Sequence, residues 1–169
     1  IFFEGRIVQV DTPRQIYANP ANRRVAEFIG NPSINFIDCE VCRNEDSVVI
    51  DSGLGRMILV DIANRNRGTT AETAVQSSLD GRAVIALRPE HIMVRREYLP
   101  DSIEARIYSA MPAGSETLIY CAVGNTMVLA KAIGQEEFSI DQKIWITIQK
   151  EKINLYSIHN GELILGAIA

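Results

Sequence analysis

Lys143-Ile144-Trp145-Ile146-Thr147-Ile148-Gln149 decides the fold class. Its isoleucines fall on every second position, the period of a strand whose successive side chains leave opposite faces. Ile144, Ile146 and Ile148 therefore share one face, with Trp145 and Thr147 on the other. Working outward, strand-like stretches recur at 37–43, 47–51, 54–60, 82–88, 91–95, 101–111, 115–123, 126–133, 152–158 and 162–166. Turn residues punctuate them at Asp51-Ser-Gly53, Pro112-Ala-Gly114, Gly124-Asn125 and Asn160-Gly161. Many short strands with regular turns predict a mostly β barrel or sandwich.

The pattern changes ahead of Ser33. Ile1 through Val10 reads as two short strands about Glu4-Gly5. Thr12-Pro13-Arg14-Gln15 is a helix start: Thr12 caps, Pro13 suits the first helical position, and Gln15 can reach back to complete a capping box. Pro20 ends that helix, because a proline disfavours helical geometry in the residue before it. Asn22 then caps a second helix carrying Val25, Phe28 and Ile29 at helical spacing, with Gly30 as terminator. Residues 64–81 form the one long polar stretch, read as a surface linker with a short helix at Ala71–Ser77. It divides the β region into a small first part and a larger second part.

The 169 residues, 47% apolar and 22% charged, have ordinary globular proportions. A chain of this size buries roughly 70% of its unfolded surface, enough for a core without disulfides. Of 17 basic and 21 acidic side chains, residues 1–32 hold four and three. The remaining 13 and 18 give the β region a net charge of −5. That sign argues against nucleic acid, as does an aromatic content of only 7%. No apolar run reaches the roughly 18 residues of a membrane span, and no secretory leader pattern appears. A soluble, cytoplasmic chain is expected. It starts at Ile1 inside an apolar segment, as a cut fragment does.

Three cysteines suit a reducing compartment. Cys39-Glu-Val-Cys42 matches C-x-x-C, but it lies in a strand-like run where residues i and i+3 face apart, so the thiols do not converge. His91 and His159 are distant from it. No metal site is expected. No phosphate-binding G-x-x-x-x-G-K-[ST] loop, G-x-S-x-G or H-E-x-x-H pattern occurs. Adjacent carboxylates such as Glu136-Glu137 read as a solvated turn rather than a pair facing across a cleft. The chain by itself is expected to be no enzyme.

Specific residues carry more. Gly5-Arg-Ile-Val-Gln-Val-Asp-Thr-Pro13, Ile16-Tyr17, Pro20-Ala-Asn22 and Val25-Ala-Glu-Phe-Ile-Gly30 resemble the end of the ATPase subunit of ABC importers of the maltose and glycerol-3-phosphate type. Ile34-Asn-Phe36, Leu87-Arg-Pro-Glu-His-Ile92, Gly114-Ser-Glu-Thr-Leu-Ile-Tyr120 and Trp145 through Leu155 resemble, in order, motifs of that branch's C-terminal domain. Asp11, Ala86, Met111 and Tyr156-Ser157 depart from its usual residues.

The resemblance implies an OB-like regulatory domain, the TOBE type, over 33–169, behind a remnant of the nucleotide-binding domain over 1–32. It implies pairing of two copies through the β domain, work with membrane-spanning permease subunits, and in some members a cytoplasmic regulatory protein. The parent would sit peripherally on the cytoplasmic face of the membrane. ATP and magnesium would be held by the parent's nucleotide-binding domain, with no cofactor in this chain. Other readings stay open beside these. Arg88 and Glu90 read either as a polar feature of the dimer contact or as a proline-fixed turn with an ordinary salt bridge. Gly114, Ser115 and Glu116 read as a plain turn or as an oxyanion pocket, since turn N–H groups can bind anions. Trp145 either covers an interface or fills the far side of the sandwich. Phe28 and Ile29 are expected to dock on the nucleotide-binding domain.

Overall fold

A computed structural model describes residues 1–43, 47–61 and 81–167. A two-stranded hairpin, β1 (Phe2–Phe3) and β2 (Arg6–Ile7), leads into helices α1 (Pro13–Ala18) and α2 (Arg23–Phe28). Thr12 Oγ1 accepts from Gln15 N, and Asn22 Oδ1 accepts from Val25 N, so both expected caps are present. The reciprocal half of the capping box is not. Asp11 Oδ1 already takes the Thr12 N–H at 2.7 Å, and the Gln15 side chain turns to Asn19 instead.

Among the described residues eleven further strands follow: β3 (Asn35–Arg43), β4 (Ser47–Ser52), β5 (Gly55–Asp61), β6 (Arg82–Leu87), β7 (Ile92–Arg95), β8 (Ile103–Ala113), β9 (Glu116–Val123), β10 (Thr126–Ile133), β11 (Lys143–Ile148), β12 (Asn154–Ser157) and β13 (Leu163–Leu165). The expected strands are all found, six of them starting one or two residues later than expected. Short 3-10 turns at Pro89–His91 and Lys150–Lys152 take the residues that open the expected 91–95 and 152–158. The expected linker over 64–81, with its helix at Ala71–Ser77, lies outside the described residues except for Gly81.

The strands build two antiparallel sheets. One runs β13-β12-β6-β3-β4-β5 and the other β10-β9-β8-β11-β7. Neither closes on itself, so the OB-like architecture takes its open, sandwich form. The small first part of the β region is not separate: β3 pairs with β6 over Asn35↔Leu87 through Glu40↔Arg82, joining strands from both sides of 64–81.

One core fills the space between the sheets. Ile37, Ile50, Ile85 and Leu87 from the six-stranded sheet meet Ile107, Ile119, Ile144 and Ile146 from the other. Ile144 and Ile146 are fully buried, each worth about 1.5–3 kcal/mol of transfer free energy, while Trp145 between them is half-exposed. A smaller cluster, Ala26, Val84, Ala86 and Tyr156, lies on the other face of the six-stranded sheet, under α2. β6 is therefore buried on both faces, and its run Ala83-Val-Ile-Ala-Leu87 is apolar throughout for that reason. The sheets are tied at one point by Asn35. Its Nδ2 donates to Leu87 O and Leu129 O, both at 2.9 Å, and its Oδ1 accepts from Leu129 N at 2.7 Å.

Candidate functional site

Two regions concentrate what the fold does not consume. The first is the seam where the helical segment meets the six-stranded sheet. Arg88 leaves the end of β6 buried, at 4% exposure. Its Nη1 donates to Ile29 O at 2.7 Å and its Nη2 to Tyr17 O at 2.9 Å, while the guanidinium lies over the Tyr17 ring, 3.7 Å from its centre. One cation thus closes the carbonyl end of α1 and the cap of α2 together. Carbonyls and an aromatic face stand in for a carboxylate, which satisfies the planar donor fork of arginine without a counter-ion. Burial pulls its pKa below the ordinary arginine range, with the Tyr156 hydroxyl opposing. Glu90 accepts from the Tyr17 hydroxyl.

Two further side chains hold the same segment. Asn154 Nδ2 donates to Ala18 O, and the buried Tyr156 hydroxyl donates to Pro20 O, each at 3.0 Å. A phenylalanine at Tyr156 could not make that bond. The Leu163 and Arg23 amides complete the seam, donating to Ala21 O and Gly161 O.

The second region is the outer face of the five-stranded sheet. The register places Tyr120 beside Leu129 and Ser109, Leu118 beside Met111, and Ala122 beside Met127, all with the same parity and so on one face. A bulge between Ile107 and Ser109 leaves Tyr108 unpaired and projecting. Tyr108 is 65% exposed, and Met111, Tyr120 and Met127 are exposed with it. The sequence did carry a signal for this patch. Leu118 through Val123 is apolar at both parities, and among the described residues its Tyr120 face is left exposed.

The residues singled out from sequence do not form one site. Arg88 and Glu90 lie at the seam, Arg88 inside the chain rather than on its surface. Gly114 and Ser115 make the two-residue β8–β9 loop, with Gly114 at φ 72°, the pattern of a type II′ hairpin turn. Glu116 pairs with Lys131 at 3.0 Å, so the charges nearest that turn cancel and leave no net cation for an oxyanion. Trp145 lies on the outer sheet face between Arg95 and Glu104, with the Lys143 amine 5.2 Å from its ring centre. Phe28 and Ile29 diverge. Phe28 packs edge-on against Phe3 at 5.5 Å yet stays 65% exposed, whereas Ile29 is half-buried and gives its carbonyl to Arg88.

Cys39 and Cys121 are buried and Cys42 is exposed, which agrees with opposite faces for the C-x-x-C pair. Among the described residues no group of histidine, cysteine and carboxylate side chains could hold a metal, and no helix is long and apolar enough to cross a membrane.

Residues 85–155, from β6 through the first half of β12, match the TOBE domain family. Beyond it, similarity extends over nearly the whole chain to ABC transporter ATP-binding subunits. An uncharacterised ABC transporter ATP-binding protein, y4oS of Sinorhizobium fredii, is 32% identical over 165 residues, covering 96% of this chain and 40% of that protein. The sn-glycerol-3-phosphate import ATP-binding protein UgpC of Cupriavidus metallidurans is 26% identical over 95% of this chain and 42% of its own length. The multiple sugar-binding transport ATP-binding protein MsmK of Streptococcus mutans is 27% identical over 88% and 38%. The chain spans about two fifths of the length of these relatives, matching their C-terminal part. A cytoplasmic molybdate-binding protein, ModG, superposes with a TM-score of 0.54 over 73% of this chain and 95% of its own, at 10% identity. That likeness concerns the fold alone.

Proposed function

We propose that this chain is the regulatory and dimerisation end of the ATP-binding subunit of an ABC importer for sugars or sugar phosphates. Residues 1–32 form the end of the nucleotide-binding domain and residues 33–169 the TOBE domain. The sugar and glycerol-3-phosphate importers among its relatives support the transport class. The observation that carries the dimerisation role is the exposed patch Tyr108, Met111, Tyr120 and Met127 on the outer sheet face. Contiguous exposed apolar surface on a soluble domain marks an interaction site, and tyrosine and methionine are enriched at such interfaces. Two copies joined there keep their ATPase domains associated while those domains open and close. In the segment over 1–32, Phe2, Ile7, Val10 and Phe28 are exposed and form the surface that meets the rest of the nucleotide-binding domain. ATP, magnesium and hydrolysis belong to that domain. The permease subunits hold the assembly at the cytoplasmic face of the membrane, and a cytoplasmic regulator acts on the TOBE domain.

Sedimentation equilibrium tests the dimerisation role. The chain is expected to dimerise reversibly at micromolar to millimolar concentration, and Tyr120→Glu to leave it monomeric by burying an unpaired carboxylate in the contact. A monomer at the highest attainable concentration, or an unchanged dimer in Tyr120→Glu, would refute it.

A further inference from the structure

A cleft of about 290 Å³ opens where α1 crosses the end of β6 and the start of β12. Arg14 and Tyr17 of α1, Ile34, Ala86 of β6, His91 and Lys152 supply its walls, with Asn154 and the buried Arg88 beside them. We infer that this cleft binds a small organic anion, a phosphate monoester or carboxylate on a compact apolar body.

Three observations converge on that ligand class. First, the lining carries Arg14, Arg88 and Lys152 with no aspartate or glutamate, inside a chain of net charge −4. Low-dielectric walls focus such a field on whatever enters. The nearby carboxylates lie outside the lining, with Glu90 held by the Tyr17 hydroxyl. Second, His91 Nδ1 is buried and has no hydrogen-bond partner. Buried ring nitrogens are ordinarily satisfied, so this one marks a position for an incoming polar atom. The imidazole pKa is lowered, chiefly by burial, and Arg88 and Lys152 push it the same way, whereas Glu90 and Glu151 oppose them. Third, Tyr17, Ile34, Ala86 and Ala18 make the rest of the wall apolar, which suits an organic body better than a bare ion. Ligand clefts commonly begin at roughly 300 Å³, so the body is small. Arg14 is exposed and makes no hydrogen bond or ion pair with another described side chain, and it can swing over the mouth to close on the head group. This inference concerns the chain's own cleft and does not rest on the dimerisation reading.

Heteronuclear NMR titration of the 169-residue chain tests it, with phenyl phosphate, inorganic phosphate and phenol as probes. Phenyl phosphate is expected to shift the His91 imidazole and the Ala18 and Ala86 amides saturably. Arg14→Ala should weaken it about tenfold, the worth of one charge-assisted contact, and Arg106→Ala on the outer sheet face should leave it unchanged. Inorganic phosphate should bind more weakly and phenol not at all. Absence of saturation by about 10 mM phenyl phosphate, a weak range for any functional ligand, would overturn the inference. So would equal affinity for phenol, equal affinity for inorganic phosphate, or an unaltered affinity in Arg14→Ala.

Discussion

The guanidinium of Arg88 fills the space that a β-carbon on Gly30 would need: such a carbon would stand 2.6 Å from Nη1. Gly30 also holds φ at 114°, a backbone conformation that side chains with a β-carbon rarely adopt. The residue after the cap of α2 and the residue after β6 are thus matched in volume, as Ile29 and Arg88 are in hydrogen bonding. Gly30→Ala is expected to lower the stability of the chain by about 1–2 kcal/mol, from backbone strain and displacement of a buried cation. Arg88→Lys should cost a similar amount, because an ammonium cannot reach both carbonyls while lying flat on Tyr17. Urea unfolding checks both, and a loss under about 0.5 kcal/mol in either variant would refute the match.

Tyr156→Phe removes only the hydroxyl that binds Pro20 O. The ring still fills its place beside Ala26 and Val84, so the cost is that of one buried carbonyl left unpaired, about 1–2 kcal/mol. Amide exchange should locate the loss, quickening in α1 and α2 before the five-stranded sheet is touched. Uniform acceleration across both sheets would show instead that the hydroxyl supports the whole fold.

Thiol chemistry separates the three cysteines. An aromatic disulfide reagent should titrate one thiol quickly in the native chain, at Cys42, and three after denaturation. Two fast thiols would place Cys39 or Cys121 at the surface, against the packing described above. Burial also pushes the Cys39 thiol up to about 11 and the Cys121 thiol up to about 12, so neither forms the reactive thiolate at neutral pH.

The same burial fixes the direction of an alkaline transition. Cys39, Cys121 and Tyr156 all ionise later in the fold than out of it, from 9.0, 9.0 and 10.0 up to about 11, 12 and 12. Between those limits the unfolded chain has released protons that the folded chain still holds, so stability falls as pH rises. It is whole below pH 9.0, then declines through about 11 and 12. The urea midpoint should therefore be lower at about pH 10.5 than at about pH 8, and a flat profile would contradict the burial of these groups.

Much of the fold was legible in the sequence because strand period and cap chemistry are local. Ile144, Ile146 and Thr12 declare themselves within a few residues. The sheet order was not legible, since parity assigns a face but not a neighbour, and nothing near Ala83 announces that β6 lies between β3 and β12. The seam was hidden for the same reason. Asn154 finds Ala18 across 136 residues, and Arg88 finds Ile29 across 59. Arg88 was conspicuous in the sequence as a charged residue beside a proline. What no local pattern could supply was that its charge points inward, onto carbonyls, rather than outward to another protein.

Asn35 has a consequence for how copies of this chain can meet. β10 is the outermost strand of its sheet, and the backbone amide and carbonyl at its middle, on Leu129, face away from β9 into the Asn35 side chain. A neighbouring molecule that tried to extend the sheet by adding a strand there would find the donor and acceptor already taken. Edge-to-edge growth through β10, the route by which open β-sheets run on into fibres, is therefore blocked at the centre of that strand by a single carboxamide.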